Sequence, residues 1–297
     1  MEEDHHSRPA TARTRELGQE LRLARKRANL TATAVAEELG WSQGKLSKLE
    51  HGWRSTSDWD YGTLLGKLGA DQATRDRIQR IASEQDIGCF VRTYDGRLSD
   101  SLLCLGVHET AAVTITDYES ILIPGLLQTE AYARVMINQD GALPPERHDL
   151  LVEARLDRQS VLSGERSPRT AFYIHEAALQ SMVGDNQVMH DQMLRLAFMC
   201  EWARLVPRVI PLGARGHSAL HHPFKMMTFT KHIKPIAYTE GATAATFTEE
   251  DQAVGVYQSM AEKLADLALD GPQSKAVFMR YADQYDQRLQ EHGFEVA

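Results

Sequence analysis

Apolar residues recur at helical spacing through the first third of the chain. One stripe consists of Leu17, Leu21, Ala24 and Ala28, with basic residues on the remaining faces. Its spacing predicts an amphipathic helix that ends near residue 30. Two later stripes predict helices at about 58–68 and 74–83. We therefore expect a disordered tail at residues 1–13, followed by a helical bundle over residues 14–85.

Two short helices are predicted in the middle of this bundle. The hydroxyl of Thr31 or Thr33 can cap the first of them, because it accepts a hydrogen bond from an otherwise free backbone amide. Gly40 can adopt the left-handed conformation that ends this helix. Ser42 can then cap the second, which extends over residues 42–51.

The second of these short helices has a polar outer face. Leu46 and Leu49 point inward at a spacing of three residues. Proteins that read duplex DNA insert a helix of about this length into the major groove. The predicted base contacts on the outer face are Gln43, Gly44, Ser47 and Lys48. The predicted phosphate contacts around it are Thr31, Thr33, Ser42, Lys45, Arg54 and Arg25.

Charge is distributed unevenly in a way that fits double-stranded DNA as a partner. The whole chain has a formal net charge of -8. Residues 8–54, however, contain ten Lys or Arg against five Glu. A basic N-terminal part on an acidic remainder indicates a polyanionic partner for one end only.

Length and composition indicate about two globular domains. The chain has 297 residues, of which 42% are apolar. The longest apolar runs are much shorter than the ~20 residues of a bilayer span, and the first residues are too acidic for a signal peptide. Three widely separated cysteines show no metal-binding or disulfide spacing. We expect a cytoplasmic protein that does not contact the membrane.

Beyond the bundle, the pattern changes. Residues 86–104 are polar and interrupted by glycines, which predicts a linker. Strand and helix patterns then mix through residues 105–297. Strands are predicted at 112–116, 120–123, 171–174, 208–212, 226–230 and 236–239, and helices at 130–138, 146–162, 186–204, 251–268 and 274–290. The expected fold is a mainly α N-terminal five-helix domain followed by an α+β C-terminal domain.

Three segments of the N-terminal part share a pattern with a known family: Leu17-Gly-x-x-Leu21-Arg-x-x-Arg25, Leu30-Thr-x-x-x-Val35-Ala-x-x-Leu39-Gly-Trp-Ser42 and Leu46-Ser-x-Leu49-Glu-x-Gly52. They resemble the xenobiotic-response-element (XRE) regulators, which have a phage-repressor-like, five-helix helix-turn-helix domain. Family members commonly have Gln after the Thr that opens the second helix, where it contacts the DNA backbone, whereas this chain has Ala32. One such domain buries little DNA surface, so we expect a homodimer on a pseudo-palindromic operator.

The remaining motifs resemble the C-terminal domain that follows such heads in actinobacterial regulators. They are Asp117-Tyr-Glu-x-x-x-x-Pro124-Gly-Leu-Leu-Gln-Thr-Glu-x-Tyr-Ala133, Glu153-Ala-Arg155, Arg158-Gln159, His175-Glu-Ala-Ala-Leu179, Pro211-Leu212 before Gly216-His217, and Tyr238-x-Glu240. The resemblance implies an antitoxin-like transcriptional regulator, often encoded beside a small partner protein.

Polar residues of these motifs form a candidate pocket for a ligand or partner. Its predicted members are Tyr118, Gln128, Tyr132, Arg155, Arg158, His217, Tyr238 and Glu240. Arg155 and Arg158 fall three residues apart on one helix face. They could bind a carboxylate together, or pair with Glu153 and Asp157.

Three readings of function follow. The first is a sequence-specific DNA-binding transcriptional regulator whose C-terminal domain senses a ligand or a small partner protein. The second is an antitoxin-like scaffold that sequesters such a partner. A third, a nucleotide-using transferase of the ADP-ribosyltransferase type, rests on Tyr238 and Glu240 alone, and the chain has no phosphate-binding glycine motif. His217, His221 and His222 lie between Gly216 and Pro223, which favours a loop over a metal site. We expect no catalytic activity, no cofactor and no metal.

Overall fold

The N-terminal part is a bundle of helices, as expected. The computed structural model describes residues 10–53, 56–94, 100–139, 145–214, 218–230 and 233–295. The helices of the bundle are α1 (Ala12–Arg27), α2 (Ala32–Glu38), α3 (Gln43–Glu50), α4 (Asp58–Lys67) and α5 (Gln72–Ser83). Their inward residues form one core, which includes Leu17, Leu21, Val35, Leu46, Leu49, Leu64 and Ile78.

The predicted boundaries of α2 and α3 are confirmed by their caps. The Thr31 hydroxyl accepts from the amide of Ala34 at 3.1 Å, so Thr31 and not Thr33 caps α2. The Ser42 hydroxyl accepts from the amide of Lys45 at 3.1 Å and caps α3. Gly40, in the turn between the two helices, has a φ of 63°, the left-handed conformation expected of it.

The C-terminal part is built on a mixed seven-stranded sheet. Its strands are β1 (Cys89–Thr93), β2 (Thr114–Glu119), β3 (Arg169–His175), β4 (Leu205–Ile210), β5 (Phe224–Thr228), β6 (Ile236–Glu240) and β7 (Ala244–Thr248). Their order across the sheet is β1-β7-β6-β5-β2-β3-β4. The β2, β3 and β4 strands are parallel, and the other pairs are antiparallel. Together with the helices, this confirms the α+β class.

Helices cover both faces of the sheet. They are α6 (Asp100–Ala111), α7 (Glu130–Gln139), α8 (His148–Gln159), α9 (Glu176–Gln180), α10 (Asn186–Met199), α11 (Asp251–Leu267) and α12 (Gly271–Glu295). The larger core lies on one face and includes buried residues of α6, α7, α10 and α12. A smaller core on the other face joins Tyr118 and Phe224 to Leu264 of α11. None of the helices in the described ranges is long and apolar enough to cross a membrane.

Two predicted segments are wrong. The expected linker at residues 86–104 contains β1, which pairs along its whole length with β7, and the start of α6. Gly88 directly precedes β1, which lies at the edge of the sheet and needs only one partner strand. The expected tail ends earlier than residue 13, because Thr11 caps α1 and Ala12 is buried in the C-terminal core. Residues 1–9 of that tail lie outside the described residues.

Two smaller corrections concern strands. Residues 120–123, expected to form a strand, follow β2 as an irregular turn. The sequence patterns also missed β7, in which small residues and threonines alternate with one large apolar residue, Phe247. This strand lies between β1 and β6. Its short, weakly apolar sequence is stabilised by pairing on both sides.

Ion pairs join the N-terminal bundle to the sheet. Arg92 of β1 is almost completely buried and donates to the carboxylate of Glu16 in α1 and to Glu84 after α5. The backbone amide of Ala12 donates to Glu249 after β7 at 2.9 Å. The two domains therefore share polar contacts that are shielded from water.

Candidate DNA-binding surface and ligand cavity

The outer face of α3 is polar and open to solvent. Leu46 and Leu49 anchor the helix and are 1% and 2% exposed. All four residues predicted to contact bases are exposed: Gln43, Gly44, Ser47 and Lys48. Gly44 has open space around its Cα position, apart from the Ser42 hydroxyl 4.0 Å from where a Cβ would lie. The face therefore has donors and acceptors and no bulky group that would prevent entry into a groove.

The predicted contacts from α2 lie beside this face. The Gln43 amide donates to the Thr33 hydroxyl at 3.4 Å, so the start of α2 and the start of α3 form one surface. Thr31 and Ser42 are also exposed. Each uses its hydroxyl oxygen as a cap acceptor, and each hydroxyl hydrogen remains able to donate to a phosphate.

Lys45, predicted to contact a DNA phosphate, forms contacts within the domain instead. Its ammonium lies 2.8 Å from Asp60 Oδ2 and 3.8 Å from the centre of the Trp41 ring. The hydrogen bond from Lys45, with another from Thr56, lowers the pKa of Asp60. To contact a phosphate, Lys45 would have to exchange this carboxylate for it.

Arg25 is a structural residue, contrary to the predicted phosphate contact. Its Nε and Nη2 donate to the two carboxylate oxygens of Glu50 at 2.5 and 2.8 Å, and its Nη1 donates to the carbonyl of Leu30 at 2.8 Å. Only 12% of the side chain is exposed. The pair connects α1 to the last residue of α3. The prediction for Arg54 lies outside the described residues.

The C-terminal domain contains a cavity of about 810 Å³ between the sheet and the helices α6, α7 and α8. Five of the residues predicted for a pocket line it: Gln128, Arg155, Arg158, Tyr238 and Glu240. The apolar wall is formed by Leu102, Leu105, Leu122, Ile123, Met136, Ile137 and Leu151. A volume of this size and a mixed wall are typical of small-molecule sites.

Tyr118 and Tyr132 do not line the cavity, contrary to prediction. Tyr118 belongs to the core on the opposite face of the sheet and donates to the carbonyl of Leu220 at 2.9 Å. Tyr132 is fully buried in the larger core, where its hydroxyl oxygen accepts from the amide of Ile123 at 3.3 Å. The prediction for His217 lies outside the described residues.

Sequence reasoning missed the acidic and basic residues that the sheet brings to this cavity. Asp117 of β2 is paired in register with Lys225 of β5, which is paired with Tyr238 of β6. These side chains share one face of the sheet. The alternation in β2 could have revealed Asp117 and Glu119, because they lie two and four residues from the buried Ile115 and so face the same way.

A compact ion network forms the polar floor of the cavity. Lys225 Nζ lies 2.5 Å from Glu109 Oε1 and 3.2 Å from Asp117 Oδ2. Arg158 donates to both oxygens of Glu109 at 2.9 Å. Burial alone would raise the pKa of Glu109, but Arg158 and Lys225 hold it down to about 2. Two cations and two carboxylates thus neutralise one another.

The two arginines of α8, Arg155 and Arg158, do not pair with the acidic residues next to them on the helix. Arg158 binds the carboxylate of Glu109 and is not paired with Asp157. Arg155 donates from Nη1 to the neutral amide oxygen of Gln128 at 2.8 Å, and not to Glu153. Its Nε is buried and has no hydrogen-bond partner in the described part of the chain. The guanidinium of Arg155 is therefore only partly satisfied.

Two further carboxylates line the cavity without a cation. Glu240 accepts from the Tyr94 hydroxyl at 3.1 Å. The carboxyl of Glu119 forms no hydrogen bond or ion pair with any other residue in the described ranges. Burial, followed by the charges of Asp117 and Glu240, raises the pKa of Glu119 to about 8. At neutral pH this group is mostly protonated.

This raised pKa predicts how stability depends on pH. In the unfolded chain Glu119 ionises near its ordinary pKa of 4.5, whereas in the folded chain it stays protonated to about pH 8. The folded state therefore binds more protons between these values, so stability falls as the pH rises through this range. The buried His108, whose pKa is lowered by burial, acts in the opposite sense below about pH 6.5, so the contribution of Glu119 is measured as a difference between two proteins. From pH 5 to pH 8, we expect the denaturant midpoint of Glu119→Gln to rise relative to that of the unchanged protein. A constant difference between the two midpoints would contradict the assignment.

Comparison with known families assigns both parts of the chain to family models. Residues 16–78 match a family model described as a helix-turn-helix domain, which covers most of α1 to α5. Residues 104–280, more than half of the chain, match the model of a family described as Domain of unknown function (DUF5753). The chain belongs to this family and has a helix-turn-helix domain in front of it. A comparison with curated proteins found no match. Most of the residues that line the cavity lie within the DUF5753 domain.

Proposed function

We propose that this protein is a sequence-specific transcriptional regulator that inserts α3 into the major groove of DNA. The observation that carries the proposal is the exposed polar face of α3, held by two buried leucines and a serine cap. Gln43 has the amide that pairs with an adenine edge, and Lys48 has an ammonium for guanine or phosphate. In this proposal the C-terminal cavity binds a ligand without a chemical step.

We also propose that the protein binds as a homodimer. One helix of eight residues reads only a few base pairs, and specific affinity on this scale is commonly achieved by two copies on a two-fold site. The half-sites would then be about 34–36 Å apart, one turn of the duplex. The operator is therefore expected to be a pseudo-palindrome.

The placement of α6 supports a link between the cavity and DNA binding. Leu102 and Leu105 of α6 line the cavity. On the opposite side of this helix, the thiol of Cys104 is buried beside Glu16 of α1, and burial followed by this carboxylate raises the pKa of the thiol well above its usual value. A ligand that displaces α6 would thus act directly on α1, the helix that packs against α3.

Selection of DNA fragments from a random pool by the full-length protein tests the groove model. Gln43→Ala is expected to relax the preference at one base pair per half-site, a loss of about 1–3 kcal/mol in discrimination, because it removes a bidentate base contact. Lys45→Ala is expected to weaken binding to all sequences alike and to reduce the salt slope by about one. The affinities of the two variants for selected and altered DNA sequences are measured by fluorescence anisotropy at two salt concentrations.

Lys263→Ala is the matched control for these variants. Lys263 lies on α11, and its side chain is 55% exposed and 3.8 Å from Asp266. Its removal should change neither preference nor affinity, because α11 lies in the C-terminal domain. If Gln43→Ala and Lys45→Ala both reduced affinity uniformly, α3 would not be the helix that reads bases.

A further inference from the structure

Arg155 and Glu119 are a basic and an acidic group that line the cavity outside its ion network. The network of Glu109, Asp117, Arg158 and Lys225 is already neutral, with each group bound to another of the set. Glu119 and Arg155 line the same cavity, but no ion pair within 4.0 Å joins either of them to a charged group in the described part of the chain. A ligand is therefore the natural partner for both.

We infer that the cavity binds an amino-acid-type zwitterion, a short peptide with apolar side chains, whose ammonium group contacts Glu119 and whose carboxylate contacts Arg155. This inference rests on the proposal that the C-terminal domain binds a ligand. It names the class of that ligand and the residues that recognise it.

The guanidinium of Arg155 lines the cavity and is only partly satisfied by the protein. Its Nη1 donates to Gln128 Oε1 at 2.8 Å, and its Nε is covered by protein atoms and has no hydrogen-bond partner in the described ranges. An unsatisfied buried donor carries a cost that a ligand oxygen would remove. Carboxylates bind guanidinium groups through two parallel hydrogen bonds, which come from the two terminal nitrogens, as in Arg92–Glu84, or from Nε and one terminal nitrogen. The bound carboxylate is therefore expected to contact the part of the Arg155 guanidinium that lines the cavity.

Glu119 supplies the complementary group. Its carboxyl has no hydrogen-bond or ion-pair partner among the described residues. Of the nearby charges, Asp117 and Glu240 disfavour its ionised form, and Lys225 and Arg155 favour that form to a smaller extent. A ligand ammonium would favour the ionised carboxylate and displace its proton into the buffer. Binding at pH 7 should therefore release a proton, because Glu119 has a pKa of about 8 in the free protein.

The size of the cavity favours an occupant larger than a single amino acid. About 810 Å³ is near the upper part of the usual range for drug-sized ligands, roughly 300–1,000 Å³. The apolar wall, formed by α6, α7 and α8, would be left in contact with water by a ligand without large side chains. Apolar side chains on a peptide of about three residues would cover it.

Three pools of tripeptides made from Leu, Ile, Val, Phe and Met test this inference with the full-length protein. One pool has free ends, one has an amidated C-terminus, and one has an acetylated N-terminus. We expect the free-end pool to raise the melting temperature most. For its best member, measured by isothermal titration calorimetry, each blocked form should bind at least tenfold more weakly.

Variants separate the two contacts. Glu119→Gln should weaken the free and amidated forms, leave the acetylated form unchanged, and abolish proton release, which is measured in two buffers of different ionisation enthalpy. Arg155→Lys should weaken the free and acetylated forms and spare the amidated form, because lysine keeps the charge but lacks the planar set of donors that binds a carboxylate through two hydrogen bonds. Glu153→Gln, an exposed position on α8, is the control and should change nothing.

The peptide and DNA experiments together distinguish a failure of the ligand inference from a failure of the proposed function. Equal binding of the three end forms, or no binding of any, overturns the zwitterion inference. If DNA selection by the full chain still succeeds, the proposed regulator function stands and only the ligand class is wrong. If the peptides bind as expected but no DNA sequence is enriched, the ligand inference stands and the proposed function fails.

Discussion

Replacing Arg92 with methionine is expected to lower the free energy of unfolding by about 3–5 kcal/mol. Arg92 is 1% exposed, and its Nη2 donates to Glu16 Oε2 at 2.5 Å while Nη1 and Nη2 each donate to Glu84 at 2.9 Å. Without Arg92, the ion pairs of the fully buried Glu16 carboxylate within the described residues are reduced to the one with the more distant Arg77, at 3.4 Å. A buried charge without adequate compensation is among the most costly defects in a folded protein.

Denaturant unfolding of the full chain measures this effect. Arg22→Met is the control, because Arg22 lies on α1 like Glu16 but is exposed, and its replacement should change stability by less than about 0.5 kcal/mol. The double variant Arg92→Met with Glu16→Met should recover part of the loss, since it removes both charges. If Arg92→Met cost no more than Arg22→Met, the pair would not join the domains.

This pair also limits how the DNA-binding domain can be studied. A fragment ending at residue 85 would retain Glu16 and Glu84 but lose Arg92, their shared partner. It would also expose Ala12, which is part of the C-terminal core. We expect such a fragment to be less stable than the same residues in the full chain, so DNA-binding experiments are better made with the intact protein.

Replacing Gly52 with alanine is expected to lower the free energy of unfolding by about 2–5 kcal/mol, the sum of two costs. Gly52 has a φ of +71°, a left-handed conformation that costs a residue with a Cβ roughly 1–2 kcal/mol. A Cβ there would also lie 2.5 Å from the carbonyl oxygen of Thr14 in α1. Backbone atoms cannot move aside as a flexible side chain can, so overpacking adds about 1–3 kcal/mol.

Gly69→Ala separates these two costs. Gly69 has a similar φ of +59°, but no atom lies within 4 Å of the position that its Cβ would occupy. We expect it to show the conformational cost alone. Gly52→Ala should in addition weaken binding to every DNA sequence, because it forces the end of α3 away from α1. Equal losses of stability in the two variants would show that α1 and α3 can separate freely at this point.

The candidate sites differ in how far they could be predicted. On α3, a stripe of two leucines and a serine cap sufficed to identify the exposed face, because residues a few positions apart determine a helix face. In the cavity, Arg155 and Arg158 were identified by helical spacing. Their partners could not be, because Glu109 is 49 residues from Arg158 and 116 from Lys225. The wrong assignment of Tyr118 was an error of one residue in a strand, which moves a side chain to the other face.

The sequence by itself determined the helix-turn-helix domain, the Ser42 cap of α3, the turn at Gly40 and the exposed face of α3, since these depend on interactions within a few residues of one another. It also indicated the α+β class through the alternation of helical and extended patterns. Only the tertiary structure decided that the expected linker is an edge strand, that Arg25 is committed to Glu50, and that Glu119 and Arg155 face one cavity. Those outcomes depend on strand register and on ion pairs between distant parts of the chain, and charge and hydropathy along the sequence specify neither.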